Sequence, residues 1–329
     1  MEPAPAMTQI QNRSTALIQT GSVVANQSLC REHYRLTLRV PAFHQAGAGQ
    51  FVHLCPDLGT AENAAVVNDE TGGALNNWQR ESLAPMLRRA FSIAALSRTA
   101  GGVKVDVIYR VVGKATRWME ALRVEDRISV LGPLGHPFPI SVEKPKAWLV
   151  AGGVGLPPML WLAETLGQSG KNTIAFCGAQ SADLLALSRR GEPASTDATT
   201  ATLCAKEFAD FGARSIISTD DGSLGFPGHI GSAMQTYHEH NADLADEVVV
   251  YTCGPERMMR FVADYCVARN IECHVCMERA MACGTGLCQS CVVPIADASE
   301  PDGWRYRLCC KDGPVFAAET IVWEPAAVG

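Results

Sequence analysis

Thirteen cysteines occur in this 329-residue chain, and three of them, Cys283, Cys288 and Cys291, are spaced C-x4-C-x2-C. A further thiol follows at Cys309 or Cys310. Four thiolates are what a [2Fe–2S] cluster requires, and this is the plant-type ligand spacing. Three ligands on one tight loop must all turn inward at the same irons. Gly284 and Gly286 let such a loop close without Cβ clashes. The fourth ligand can arrive from a distant strand, so its spacing is loose. Zinc is the competing chemistry: Cys273-x2-Cys276 and Cys288-x2-Cys291 would form a four-cysteine site of two C-x2-C pairs. Against it, Ile271, Cys273 and Val275 alternate as in a strand, and zinc leaves Cys283 and Cys310 without a role. Buried free cysteines that merely pack are the bland alternative.

A cluster needs an electron source, and two further regions supply candidates. Leu87 to Ala94 reads LRRAFSIA, an extended segment with a guanidinium (Arg89) and a hydroxyl (Ser92) three residues apart. Tyr109-Arg110-Val111-Val112-Gly113-Lys114-Ala115-Thr116 ends a strand at a small-residue turn, where backbone N–H groups and the Thr116 hydroxyl can hold a phosphate. Together they suggest a flavin dinucleotide across a barrel, its isoalloxazine on one segment and its pyrophosphate on the other. Further on, an apolar strand, Ala147 to Ala151, runs into Gly152-Gly153-Val154-Gly155, and Pro157-Pro158 opens a helix over Met159 to Leu166. A glycine turn between strand and helix aims N–H groups at a phosphate. The fingerprint departs from G-x-G-x-x-G, because Pro158 stands at the third glycine. Strands are expected at Thr173 to Cys177, up to Thr219 to Ser223, and at Val248 to Thr252. The last ends in Cys253-Gly254-Pro255 before a helix, Glu256 to Ala268. Small residues at consecutive strand ends line a crevice at the carboxyl edge of a sheet. That suits a nicotinamide nucleotide with Cys253 and Gly254 near the nicotinamide.

The elements that position these groups fall into three regions. Tyr34, Leu36, Leu38 and Val40 alternate with polar residues, as do Val103, Val105, Val107 and Tyr109, the mark of half-buried strands. Residues 1–145 therefore read as an antiparallel β-barrel flavin domain, interrupted by an aperiodic insertion from Asp57 to Pro85. Residues 146–270 read as an α/β nucleotide domain with a parallel sheet. Residues 271–329 read as a small [2Fe–2S] domain framed by strands at Ile271 to Cys276, Cys291 to Ile295, Trp304 to Leu308 and Thr320 to Trp323.

Composition excludes several classes. With 47% hydrophobic and 19% charged residues and a net charge of −6, the chain attracts neither nucleic acid nor an anionic membrane. Ala147 to Ala163 is charge-free over nearly a membrane-span length, but glycines and prolines break its middle. MEPAPAMTQIQNR has neither the basic nor the apolar region of a signal peptide. So many cysteines without an export signal point to metal or redox use in a reducing cytoplasm.

The order of flavin barrel, nucleotide domain and C-terminal plant-type cluster resembles the electron-transfer subunit of bacterial type-B dihydroorotate dehydrogenase, within the ferredoxin–NADP reductase-like superfamily. The stretches that carry the resemblance are LRRAFSI, YRVVGKAT, GPLG at Gly132 to Gly135, AGGVGLPP, TDDGSLG, CGPERMM, MACGTGLCQSC and CKDGPVF. The resemblance implies FAD binding at Arg89, Ala90, Phe91 and Ser92, at Ile108, Tyr109 and Arg110, and at Gly113, Ala115 and Thr116. It implies cluster ligation by Cys283, Cys288, Cys291 and Cys310, with Cys309 on the opposite face of the same strand. NAD(H) would exchange a hydride with FAD, and single electrons would pass through the cluster to or from a catalytic flavoprotein subunit of dihydroorotate dehydrogenase type in a hetero-oligomer. No general acid or base is implied. Gln180, Ser181 and Asp183, with no arginine before Arg189, favour NAD over NADP. A reductase for another acceptor, such as a bifurcating enzyme or an oxygenase, shares these motifs. Ala90 stands where the family has Pro, Ala115 where it has Gly, and Gly191 to Thr202 reads as inserted.

Overall fold

The computed structural model describes residues 16–57, 87–241 and 247–324. Nearly all of the Asp57–Pro85 insertion lies outside them. Six strands close into an antiparallel barrel: β1 (Leu17–Cys30), β2 (His33–Val40), β3 (Phe51–Pro56), β4 (Arg89–Thr99), β5 (Gly102–Arg110) and β6 (Arg127–Leu134), in the order β1-β2-β5-β4-β3-β6. Alternation is the reason the barrel fills. Leu36, Leu38 and Val40 on β2 and Val103, Val105 and Val107 on β5 point inward and are buried. Pairing of Leu17 through Ser22 with Gly132 through Arg127 joins the first and last strands, so the described barrel leaves no open edge.

The next strands are β7 (Lys146–Gly152), β8 (Asn172–Ala179), β9 (Arg214–Thr219), β10 (Phe226–Pro227), β11 (Val248–Cys253) and β12 (Glu272–Cys276). They pair in parallel, in the order β10-β9-β8-β7-β11-β12. Their residues are apolar in unbroken runs because both faces are covered. On β7, Ala147, Leu149 and Ala151 join the core shared with the barrel, whereas Trp148 and Val150 face the core on the other side. The charge-free run of Ala147 to Ala163 is therefore a central strand followed by a buried helix, Leu156–Gln168, which packs against β4. Pro157 and Pro158 occupy its first turn. Among the described residues no helix is long and apolar enough to cross a membrane.

The carboxyl-terminal part differs from the sequence reading at three points. β12, expected to frame the cluster lobe, instead extends the parallel sheet through its pairing with β11. A hairpin of β13 (Val292–Ala296) and β14 (Trp304–Leu308) follows the cysteine loop. β15 (Val315–Ala317) then returns to cap the sheet edge, antiparallel to β12. The strand expected over Thr320 to Trp323 is absent: Ala318–Thr320 is a single 3-10 turn, and Ile321 makes only an isolated bridge to Ile295. The short apolar run there packs as a turn, since one bridge offers no ladder to continue. Cys309 and Cys310 lie in the turn after β14 rather than on a strand.

The Gly191–Thr202 segment is not a loose appendage. Thr202 and Ser215 exchange backbone hydrogen bonds (3.0 and 2.6 Å), and Ala198 and Ala201 are buried. The segment between β6 and β7 is held by Tyr251 Oη of β11, which donates to Pro139 O at 2.9 Å, and by His136 N–H, which donates to Gly313 O in the turn before β15 at 2.7 Å.

Candidate functional site

A cleft of about 870 Å3 runs between the barrel and the carboxyl edge of the sheet, walled by both and floored by the segment after β12. On the barrel side it is lined by Ala90, Phe91 and Ser92 of β4, Ile108, Tyr109 and Arg110 of β5, and Val112 and Thr116 of the turn that follows. Phe91 packs edge-on against Tyr109 (6.2 Å), and Tyr34 stacks on Tyr109 from behind (5.7 Å). Tyr109 is buried, its hydroxyl donates to Asn26 Oδ1 at 3.1 Å, and burial raises its pKa strongly. It is thus a fixed, neutral wall.

Three predicted residues sit differently. Arg89 is exposed, and its guanidinium folds back onto the carbonyls of Leu87 and Arg88 (3.1 and 3.2 Å) instead of facing the cleft with Ser92. Gly113 and Ala115 are likewise outside the lining. The Thr116 hydroxyl accepts the N–H groups of Val112 (2.9 Å) and Gly113 (3.1 Å), so it closes the turn that begins the helix Lys114–Glu120. Arg110 reaches the cleft while ion-paired with Glu32 at 2.9 Å.

On the sheet side, Gly152, Gly153 and Val154 at the end of β7 line the cleft, with Cys253 and Pro255 at the end of β11. Gly155 and Gly254 do not. A Cβ on Gly155 would lie 2.1 Å from Cys253 O, and one on Gly254 would lie 2.9 Å from Gly152 O. These two glycines let the β7 and β11 turns lie against each other. Asp183 also lies outside: its carboxylate pairs with Arg31 at 2.7 Å and accepts from the Ser181 hydroxyl. Gln180 and Asp220 line the cleft, and Asp220 meets His229 at 3.0 Å. Sequence reasoning missed Phe51, Arg257, Met258, Phe261, Cys276, Met277, Arg279 and Met281, all in the lining. A parity argument on β3 would have flagged Phe51, and the periodicity of the helix Glu256–Val267 puts Arg257, Met258 and Phe261 on one face; the rest carry no local signal.

Beyond Met281 the chain enters the cysteine loop. Gly284 (φ +74°) and Gly286 (φ +85°) take left-handed turns there. The four thiols fall into two pairs. Cys288 N–H donates to Cys283 Sγ and Cys310 N–H donates to Cys291 Sγ, both at 3.4 Å. Burial opposes ionisation of Cys283, yet the N–H groups of Cys288 and Thr285 bring its thiol down to about 6. Cys310 is pushed up to about 12 by burial and by contact with Cys291. Cys309 is separate: its thiol donates to Met277 O at 3.3 Å in a buried niche. Two pairs of thiols with N–H donors to sulfur fit a two-iron cluster, in which each iron takes two thiolates. Among the described residues no group of three or more His, Cys, Asp or Glu side chains is arranged to hold a single ion.

The zinc arrangement is overturned. Cys273 and Cys276 lie on one strand an odd number of residues apart, hence on opposite faces. Cys273 contacts Cys266 of the helix Glu256–Val267, and Cys276 contacts Cys253 at the cleft.

Solved structures share this architecture. A chain of an NADH-dependent reduced ferredoxin–NADP oxidoreductase, described for flavin-based electron bifurcation, superposes with a TM-score of 0.66 at 23% identity, over 92% of this chain and 90% of that one. The ferredoxin reductase of carbazole 1,9a-dioxygenase gives 0.56 at 18%, over 78% and 67%. The fold is that of the ferredoxin reductases. Residues 149–264 match the family model of the oxidoreductase NAD-binding domain, and residues 278–322 match that of the iron–sulfur cluster binding domain of dihydroorotate dehydrogenase B. The electron transfer subunit of dihydroorotate dehydrogenase B (NAD(+)) from Desulforamulus reducens is 31% identical over 240 residues, 73% of this chain and 82% of the relative. That from Geobacillus thermodenitrificans is 31% identical over 304 residues, 92% and 97%. The chain belongs to the family of dihydroorotate dehydrogenase B electron transfer subunits.

Proposed function

We propose that this chain conducts electrons between NAD(H), FAD and a [2Fe–2S] cluster on behalf of a catalytic flavoprotein subunit that oxidises dihydroorotate, in a cytoplasmic hetero-oligomer. Bound together, nicotinamide and flavin supply two-electron hydride exchange and the cluster supplies one-electron transfer. The observation that carries the reading is continuity: Met281 lines the nucleotide cleft, and Cys283, the first thiol of the loop, is two residues on.

Each group of residues has a holding role. Phe91, Ser92 and Tyr109 present an aromatic and hydroxyl wall for the flavin ring. Ala90 and Ile108 complete its apolar side, and Arg110 and Thr116 stand at its phosphate end, where Arg89, Gly113 and Ala115 shape the approach. Gly152, Gly153 and Val154 receive the nicotinamide nucleotide, with Cys253 and Pro255 at its reactive end and Gly155 and Gly254 holding the two turns together. Cys283, Cys288, Cys291 and Cys310 hold the irons. No side chain is assigned as general acid or base; the protein binds, orients and excludes water. NAD rather than NADP follows from the family.

Substituting Cys283→Ser tests the assignment. Iron and acid-labile sulfide should fall while FAD stays bound; unchanged iron would contradict it. Comparable kcat/KM for NADPH and NADH would remove the nucleotide preference.

A further inference from the structure

His53 on β3 belongs neither to the barrel core nor to the cleft lining, yet it stands where both approach the cysteine loop. It is 0% exposed, and neither ring nitrogen has a hydrogen-bond partner among the described residues. Buried polar atoms are nearly always paired, so two orphans on one side chain call for an explanation. Packing does not supply one, because a Leu or Phe would fill the same space without stranded nitrogens. Strand parity sets the direction of the ring. Val52 and Leu54 point into the barrel, so Phe51 and His53 point out of it. Across the β3–β4 ladder His53 faces Ala90, which lines the cleft.

On the other side the ring meets Gly284. A Cβ built there would lie 2.8 Å from His53 Cε1, 2.9 Å from Nε2 and 3.0 Å from Nδ1. The near-equal distances place the loop residue that follows Cys283 over the face of the ring at its nitrogen end, and only a glycine leaves it room; both nitrogens lie in the ring plane beside the loop, unpartnered among the described residues. Burial, followed by the charges of Arg88 and Arg89, holds the His53 pKa down at about 4. The imidazole is neutral at pH 7, with one N–H to donate and one nitrogen to accept.

We infer that His53 is a positioning residue that donates its ring N–H to a sulfur of the cluster held by the cysteine loop, and thereby sets the cluster's reduction potential. Hydrogen bonds to cluster sulfurs are among the determinants of that potential; they favour the more negative, reduced state. The inference rests on the cluster assignment proposed above.

The test uses the purified full chain with iron, sulfide and FAD assayed on every sample. Pulsed electron paramagnetic resonance of the reduced cluster, in protein carrying isotope-labelled histidine, should show a weakly coupled histidine nitrogen. In His53→Phe that coupling should vanish, and the cluster's one-electron equilibrium should move roughly tenfold toward the oxidised form, about 59 mV for a one-electron couple. His53→Gln, which keeps an N–H donor, should recover part of the shift. Should His53→Phe not load iron, Gly284→Ala takes its place: its Cβ displaces the ring, and the same loss of coupling and shift in potential are expected. Unchanged coupling and potential in a loaded variant would overturn the inference. A wild-type protein without iron would instead overturn the cluster assignment on which it stands.

Discussion

Adjacent cysteines with opposite surroundings show how residue identity alone under-determines this site. Cys309 gives its thiol to the Met277 carbonyl, whereas Cys310 gives its backbone N–H to the Cys291 sulfur. Cys309→Ser should therefore retain iron at the wild-type level, with a stability loss on the order of 1 kcal/mol from burying a hydroxyl in a thiol niche. Cys310→Ser should lose most of its iron, measured per FAD. Equal iron loss in both would contradict the assignment. Residue types and spacing made three of the four thiols legible, because C-x4-C-x2-C is local. The choice between the last two came from family resemblance, and the physical difference between them is tertiary. His53 was not legible at all: a histidine in an apolar strand looks like any other until parity and the loop opposite it are known.

Elements meet through backbone approach as much as through side chains. The β7 and β11 turns touch at Gly155 and Gly254, so Gly155→Ala places a methyl against the Cys253 carbonyl. The cost should be about 1–3 kcal/mol of overpacking, lowering Tm by roughly 2–4 °C per kcal/mol in a chain of this size, with weaker NADH binding. An unchanged Tm would mean that the turns sit farther apart. The helix Ile230–His240 docks through His238, which is buried beside Trp148 with Nδ1 2.9 Å from Tyr265 Oη. Burial, then Arg269, lowers the His238 pKa from its usual 6.5. A base with a depressed folded pKa binds fewer protons folded than unfolded, so its stabilisation is complete above about pH 6.5 and is lost as pH falls below that value. Tm should thus drop more steeply below pH 6.5 in the native protein than in His238→Phe; parallel curves would contradict this. Glycine-rich strand ends were legible as a crevice edge. Their division into cleft lining and turn packing was not, because both uses demand the same residue.

At the scale of the molecule, three lobes share two cores. The barrel interior continues into one face of the sheet, and the opposite face runs under the cysteine loop. The barrel, the parallel sheet and the order of lobes were legible because alternation and apolar runs are periodic signals along the chain. The position of β12 in the parallel sheet was not, since its pattern is the same whichever sheet it joins, and β15 is too short to register. What sequence could not supply is the juxtaposition that makes a conduit: a cleft between two lobes whose floor leads into the third. The most direct test is an anaerobic titration of the purified chain with NADH, followed by visible absorption and electron paramagnetic resonance on the same sample. The flavin should bleach and a reduced [2Fe–2S] signal should appear together. Full flavin reduction with the cluster present and still oxidised would contradict the conduit.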